Sequence, residues 1–164
     1  MQLTMPETTQ LVAESRPRSR KLIEDMLQER QQMLVLFWEL SKFDFKTIDE
    51  TVNDTLEDFQ EILVDYIAAG HFGLYQRIAE GNERRTAVVD TAREIYPRIA
   101  RSTEMAVEFT ERYEDAAPEV IEEKLARDLS VLGEEVITRI ELEDKLIAAM
   151  LGTEYQIPAS PAVN

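Results

Sequence analysis

Apolar residues recur along most of this chain at helical spacing, and nowhere do they alternate as in a strand. In the segment 56–78, LEDFQEILVDYIAAGHFGLYQRI, the residues Leu56, Phe59, Leu63, Tyr66, Ile67, Gly70, Leu74 and Ile78 fall on one side of a helix. An earlier stripe of Leu22, Met26, Met33, Phe37 and Leu40, widened by Ile23, Leu27, Leu34 and Leu36, predicts a first helix from about Pro17 to about Ser41. The second helix should run from about Thr51 to Glu80 and stop at Gly81-Asn82. Val88, Ala92, Ile95, Ile99, Ala106 and Phe109 mark a third helix, over 83–113. Pro97 should kink or break it near Tyr96, because proline removes one backbone bond and crowds the preceding turn. A fourth stripe of Ile121, Leu125, Leu129, Leu132, Val136, Ile140, Ile147 and Met150 begins at Pro118 and ends before Gly152, a suitable C-cap. Four long helices with short links predict an all-α, up-down bundle.

The flanks lack this periodicity. Residues 1–15 read as a mobile arm, 16–152 as the bundle and 153–164, with Pro158 and Pro161, as a disordered tail. The link 42–50 is aperiodic, and its Phe43 and Phe45 should cover one end of the bundle. Gly70 and Gly73 each weaken a helix by about 1 kcal/mol relative to alanine. Such glycines mark close approach of a neighbouring helix, expected at Gly70; at Gly73 either the same or a bend is expected.

One set of positions does not belong to the core stripe of the second helix. Asp65, Ala68, Phe72 and Gln76 share a second face, and Phe72 lies about 180° from Leu63. Either this helix is central and packed on both sides, or Phe72 meets a partner.

The same stretch carries a resemblance. LVDYIAAGHFGLYQRI is similar to the signature segment of the Rsd/AlgQ family of bacterial anti-sigma factors. SRKLIEDMLQERQQMLVLFWEL, from Ser19, resembles the family's first helix, and LEDKLIAAML, from Leu142, its last, so the likeness spans about residues 19–151. The resemblance implies a protein that binds the primary sigma factor of RNA polymerase and limits its association with the polymerase. It also implies contact with metabolic signalling proteins. It puts the partner-binding face on Asp65, Ala68, Phe72 and Gln76. Asp65 and Phe72 match the enteric members, whereas Ala68 stands for a serine and Gln76 for a glutamate.

Composition narrows the chemistry. There is no cysteine, and the single histidine, His71, cannot supply a di-iron site, a His/Cys zinc site or a haem-attachment motif. No phosphate-binding loop or nucleophile elbow is present, so neither cofactor nor catalytic site is expected. Acidic residues number 33 against 18 basic, a net charge of -15, which disfavours nucleic acid and suits a basic protein partner. The N-terminus lacks a signal peptide and no apolar run could span a bilayer, so a cytoplasmic protein is expected. The basic cluster Arg16, Arg18, Arg20 and Lys21 reads as a solvated helix start.

Two features keep other readings open. A lone histidine on a helical bundle also suits a phosphotransfer domain, although Phe72, Gly73 and Leu74 replace the lysine and glycine that follow the histidine there. A hydrogen bond from His71 to Glu143 or Asp144 is the structural alternative, and a helical adaptor with other partners is a further one. The run Glu141, Glu143, Asp144, Lys145 reads as a solvated face, against a polar contact to the second helix.

Overall fold

The computed structural model describes residues 7–152 and 154–159, with side chains from residue 18 onward. Four long helices account for it, as the periodicity predicts. They are α1 (Glu7–Ser41), α2 (Glu50–Gly70), α4 (Thr86–Tyr113) and α5 (Pro118–Leu151). A π-helical turn, His71–Tyr75, and the short α3 (Gln76–Ala79) prolong α2 into one rod. No strand occurs among the described residues.

The chain folds as two helical hairpins. α1 pairs with α2, α4 pairs with α5, and α2 meets α4 more loosely. The expected stripes form the common core. Ile23, Met26, Met33 and Leu40 are buried from α1, and Leu56, Phe59, Leu63 and Tyr66 from α2. Val88, Ile95, Ile99 and Phe109 join them from α4, and Leu125, Leu132, Ile147 and Met150 from α5. Phe59 is the aromatic hub: its ring centroid lies 5.9 Å from that of Phe37 on α1 and 6.0 Å from that of Phe109 on α4. Phe45 is buried at the bundle end and Phe43 half-buried beside it.

Helix ends follow local chemistry. Asp49 caps α2, its carboxylate accepting from the Val52 amide at 3.0 Å. The rod stops at Gly81, whose φ of 76° is one that a side chain would strain. Pro118 opens α5, and Gly152 closes it.

Three expectations need correction. Helix α1 begins at Glu7, well before Pro17, so residues 7–15 of the expected arm are helical; residues 1–6 lie outside the described residues. Helix α4 runs unbroken from Thr86 to Tyr113 with Pro97 inside it, so of the kink or break expected there the break does not occur. The departure from α geometry falls in the second rod instead, at the π turn. At the other end, 154–159 lie back along α1. There Tyr155 and Ile157 pack on the core, Arg20 sits 5.2 Å over the Tyr155 ring, and Gln31 Nε2 donates to the Ala159 carbonyl at 2.8 Å.

Candidate partner-binding face

The candidate face is built by the rod and by what holds the rod from behind. On a helical wheel Glu57, Glu61, Asp65, Ala68 and Phe72 lie within about 80° of one another. All five side chains are exposed. Gln76 is half-buried, and its amide donates to Glu80 Oε1 at 3.2 Å. The structure thus places Asp65, Ala68 and Phe72 together on an open surface. Gln76 continues it at the far side of the π turn, with its amide already engaged.

The π turn explains how Phe72 stays outside. On a regular helix Tyr75 would sit about 120° from Leu63, off the core. The extra residue in the turn rotates the following segment, and Gly73, Leu74 and Tyr75 are all buried. Phe72 remains 53% exposed, its ring edge-on to His71 with centroids 5.3 Å apart. Such turns are rare interruptions of α-helices and often accompany functional surfaces.

Both glycines of the AGHFG segment answer to close neighbours. A Cβ on Gly73 would stand 3.2 Å from the Leu22 carbonyl oxygen, so here the backbone of α1 comes closest to the rod. A Cβ on Gly70 would stand 3.3 Å from Glu143 Oε2. Of the two outcomes expected at Gly73, the close backbone approach is found, while Gly70 makes room for a buried carboxylate rather than a crossing backbone.

That carboxylate belongs to a polar cluster that ties all four long helices together behind the face. Glu143 of α5 is fully buried. It accepts from Arg30 Nη2 of α1 at 3.1 Å, from Arg139 Nε at 3.1 Å and from the Tyr66 hydroxyl of α2. Arg30 Nη1 also donates to Asp144 Oδ1 at 2.7 Å. Arg139 Nη1 reaches α4, donating to Thr103 Oγ1 at 2.7 Å and Ser102 Oγ at 3.0 Å. Burial, then the adjacent Glu143 charge, push the Tyr66 hydroxyl well above its ordinary value, so it stays protonated and donates. Burial alone would lower the Arg30 pKa, but Glu143, Tyr66 and Asp144 outweigh it and hold the guanidinium charged.

This cluster overturns two expectations. Glu143 is no solvated acid; it makes the polar contact to α2 that was the alternative for that run. Nor do Glu143 and Asp144 bind His71, since their partners are arginines and Tyr66. His71 is instead exposed beside Phe72.

The loose seam between α2 and α4 leaves two depressions along the face. The larger, about 1080 Å³, is walled by Glu57, Glu61 and Asp65 on one side and Glu114 and Asp115 on the other. The smaller, about 390 Å³, lies under Ala68 and Phe72 against Tyr96 and Ala100 of α4. Val64 of α2, Phe72 of the π turn, and Tyr96 and Val107 of α4 are exposed large apolar side chains beside this seam. The acidic wall escaped the sequence reading, though Glu57, Glu61 and Asp65 follow one another at i, i+4 spacing. Its other half, Glu114 and Asp115, comes from a distant junction. Among the described residues, no group of three or more His, Cys, Asp or Glu side chains could hold a metal ion. None of the described helices is long and apolar enough to cross a membrane.

Comparison with known families decides the relationship. Residues 5–151 match the family described as Regulator of RNA polymerase sigma(70) subunit, Rsd/AlgQ. The chain belongs to the Rsd/AlgQ family. It is 31% identical over 142 residues to the Regulator of sigma D of Enterobacter sp. (strain 638), covering 81% of this chain and 82% of that protein. It is also 31% identical to proteins of that name from Shigella boydii serotype 4 (strain Sb227) and Escherichia coli (strain K12 / DH10B), covering 81% of this chain and 85% of each. No solved structure matches significantly. In this Rsd/AlgQ chain Gly70 directly precedes the π turn and Gly73 lies within it.

Proposed function

We propose that this chain is a cytoplasmic anti-sigma factor. It binds the promoter-recognition domain of the primary sigma factor through the outward face of α2 and the π turn, and so limits that factor's association with RNA polymerase. Family membership supports the partner, and one structural observation supports the face. A half-exposed phenylalanine stands at the end of an acidic groove, on a rigid element braced from behind by the Arg30–Glu143–Arg139 cluster.

The division of labour follows from that geometry. A DNA-binding surface is basic, so Glu57, Glu61, Asp65, Glu114 and Asp115 attract it and speed encounter, an effect that weakens with salt. Phe72 supplies the apolar anchor, because aromatic residues dominate interface energies. Asp65, next to Phe72 on the wheel, can accept from an arginine of the partner.

The test compares three variants by calorimetric titration with the purified sigma domain and by thermal melts. Phe72→Ala should weaken binding by about 2 kcal/mol or more while barely moving the melting temperature. Asp65→Ala should weaken binding and flatten its salt dependence. Leu63→Ala removes a fully buried side chain and should lower stability by about 2–5 kcal/mol, with normal binding by the folded fraction. Normal binding by Phe72→Ala would move the interface elsewhere on the molecule.

A further inference from the structure

We propose that the smaller depression under Phe72 is a binding site for a small carboxylate with a flat apolar body. The cavity, about 390 Å³, has the volume of a small-ligand pocket. Two aromatic rings form its mouth: Phe72 is 53% exposed and Tyr96 56% exposed. Ile67, Ile99 and Ala100 make the inner wall apolar. Such a shape takes a flat hydrocarbon body between its walls.

The polar residues of this wall have hydrogen-bonding capacity that the protein leaves unused. Tyr75 lines the cavity, is 5% exposed, and its hydroxyl finds no hydrogen-bond partner among the described residues. A buried hydroxyl without a partner is costly and calls for one. Arg139 lines the same cavity and is 3% exposed. Its Nε and Nη1 are engaged by Glu143, Thr103 and Ser102, while its Nη2 donates to none of the described residues. Both free groups are donors. Burial, then the nearby Glu143 charge, raise the Tyr75 pKa, so the hydroxyl keeps its proton. Two donors among the lining residues of a largely apolar slot, one of them cationic, favour a carboxylate over a neutral acceptor. The Glu143 charge that reaches the Tyr75 hydroxyl is balanced by Arg30 and Arg139, which together with Tyr66 bind both of its oxygens. The site stands whether or not the sigma-binding reading does, since it rests on the cavity and its donors alone.

The experiment is a titration of the full, isotope-labelled chain followed by amide chemical shifts. The probe is 3-phenylpropionate, with 3-phenylpropionamide as its uncharged match and acetate as the carboxylate without the ring. The probe should give saturable shifts confined to residues 67–75 and 96–103, and both controls should bind at least about tenfold more weakly. Tyr75→Phe should weaken the probe about tenfold without lowering the melting temperature, because it removes only an unpartnered hydroxyl. Ala100→Phe, which fills the cavity from α4 without touching the buried charges, should abolish the shifts. No saturable shift below about 10 mM, the range where fragment-sized ligands bind, would overturn the proposal. So would equal binding of the amide, unchanged binding by Tyr75→Phe, or shifts that survive Ala100→Phe.

Discussion

Arg30 occupies a place in the first helix that the apolar stripe would give to a hydrophobic residue. It lies between Met26 and Met33 and is 1% exposed. Its charge is tolerable there only because Glu143 and Asp144 meet it from α5. Removing one member of such a pair leaves the other buried without a counter-charge, which costs far more than the pair contributes. Glu143→Gln should therefore lower the free energy of unfolding by about 3–5 kcal/mol, measured by chemical denaturation with helix content retained in the absence of denaturant. Asp144→Asn should cost less than about 1 kcal/mol, since the Asp144 side chain is 37% exposed and water can replace it. Equal losses for the two would show that burial does not set the energetics of this cluster.

The rod formed by α2, the π turn and α3 is the element on which the candidate face depends. Its two glycines are in contact with neighbours of different stiffness. Alanine at either position gains about 1 kcal/mol in helix propensity. At Gly73 the new methyl would meet the backbone of α1 at 3.2 Å, which can move only by shifting a helix. At Gly70 it would meet the Glu143 carboxylate at 3.3 Å, a side chain held by three partners. Overpacking against a rigid neighbour costs about 1–3 kcal/mol, so Gly73→Ala should be net destabilising by about 1 kcal/mol in thermal melts. It should also broaden the amide resonances of 71–75, because the π turn takes up the strain. A gain in stability would mean that α1 yields freely.

Charge and chain ends shape the bundle as one body. The tail residues Tyr155 and Ile157 lie half-buried against the core, and Gln31 and Arg20 hold the strand of chain beside α1. Truncation after Gly152 should lower stability by about 1–2 kcal/mol, read as a lower melting temperature; a disordered tail would give no change. Acid should weaken the fold through its ion pairs. Arg98, donating at 2.5 and 2.9 Å, holds the Glu135 carboxyl below the usual range against the opposing effect of burial. Burial pushes Asp128 up, but Tyr113 and Arg112 outweigh it and hold it low. A carboxyl with a native pKa below its unfolded value contributes fully above the unfolded value and loses that contribution as pH falls through the native one. Unfolding free energies from about pH 7 to about pH 3 should therefore decline. Glu135→Gln should decline less steeply, and an identical slope would exclude the Arg98 pair from the acid response.

Helix number, the core stripes and the caps at Gly81 and Gly152 were all legible in the chain, and spacing put Phe72 opposite the core stripe without deciding between an open and a packed second face. They depend on spacing within single helices, and a helix imposes its period locally. The all-α bundle follows from the same patterns. What lay beyond them depends on residues far apart in sequence. Glu143 lies on the apolar stripe between Ile140 and Ile147, as Arg30 lies between Met26 and Met33, so spacing marks both positions; that the two meet across the bundle is decided only by the packing of α1 on α5. The π turn looks like ordinary helix in sequence, and the neighbours its glycines meet, Leu22 at Gly73 and Glu143 at Gly70, come from other helices. The half-buried tail looks disordered because two apolar residues carry no period, and only the α1 surface beneath them gives them something to cover. Local spacing placed each helix face. Tertiary packing decided which faces close into a core, which charges are taken inside, and which cavity remains under Phe72.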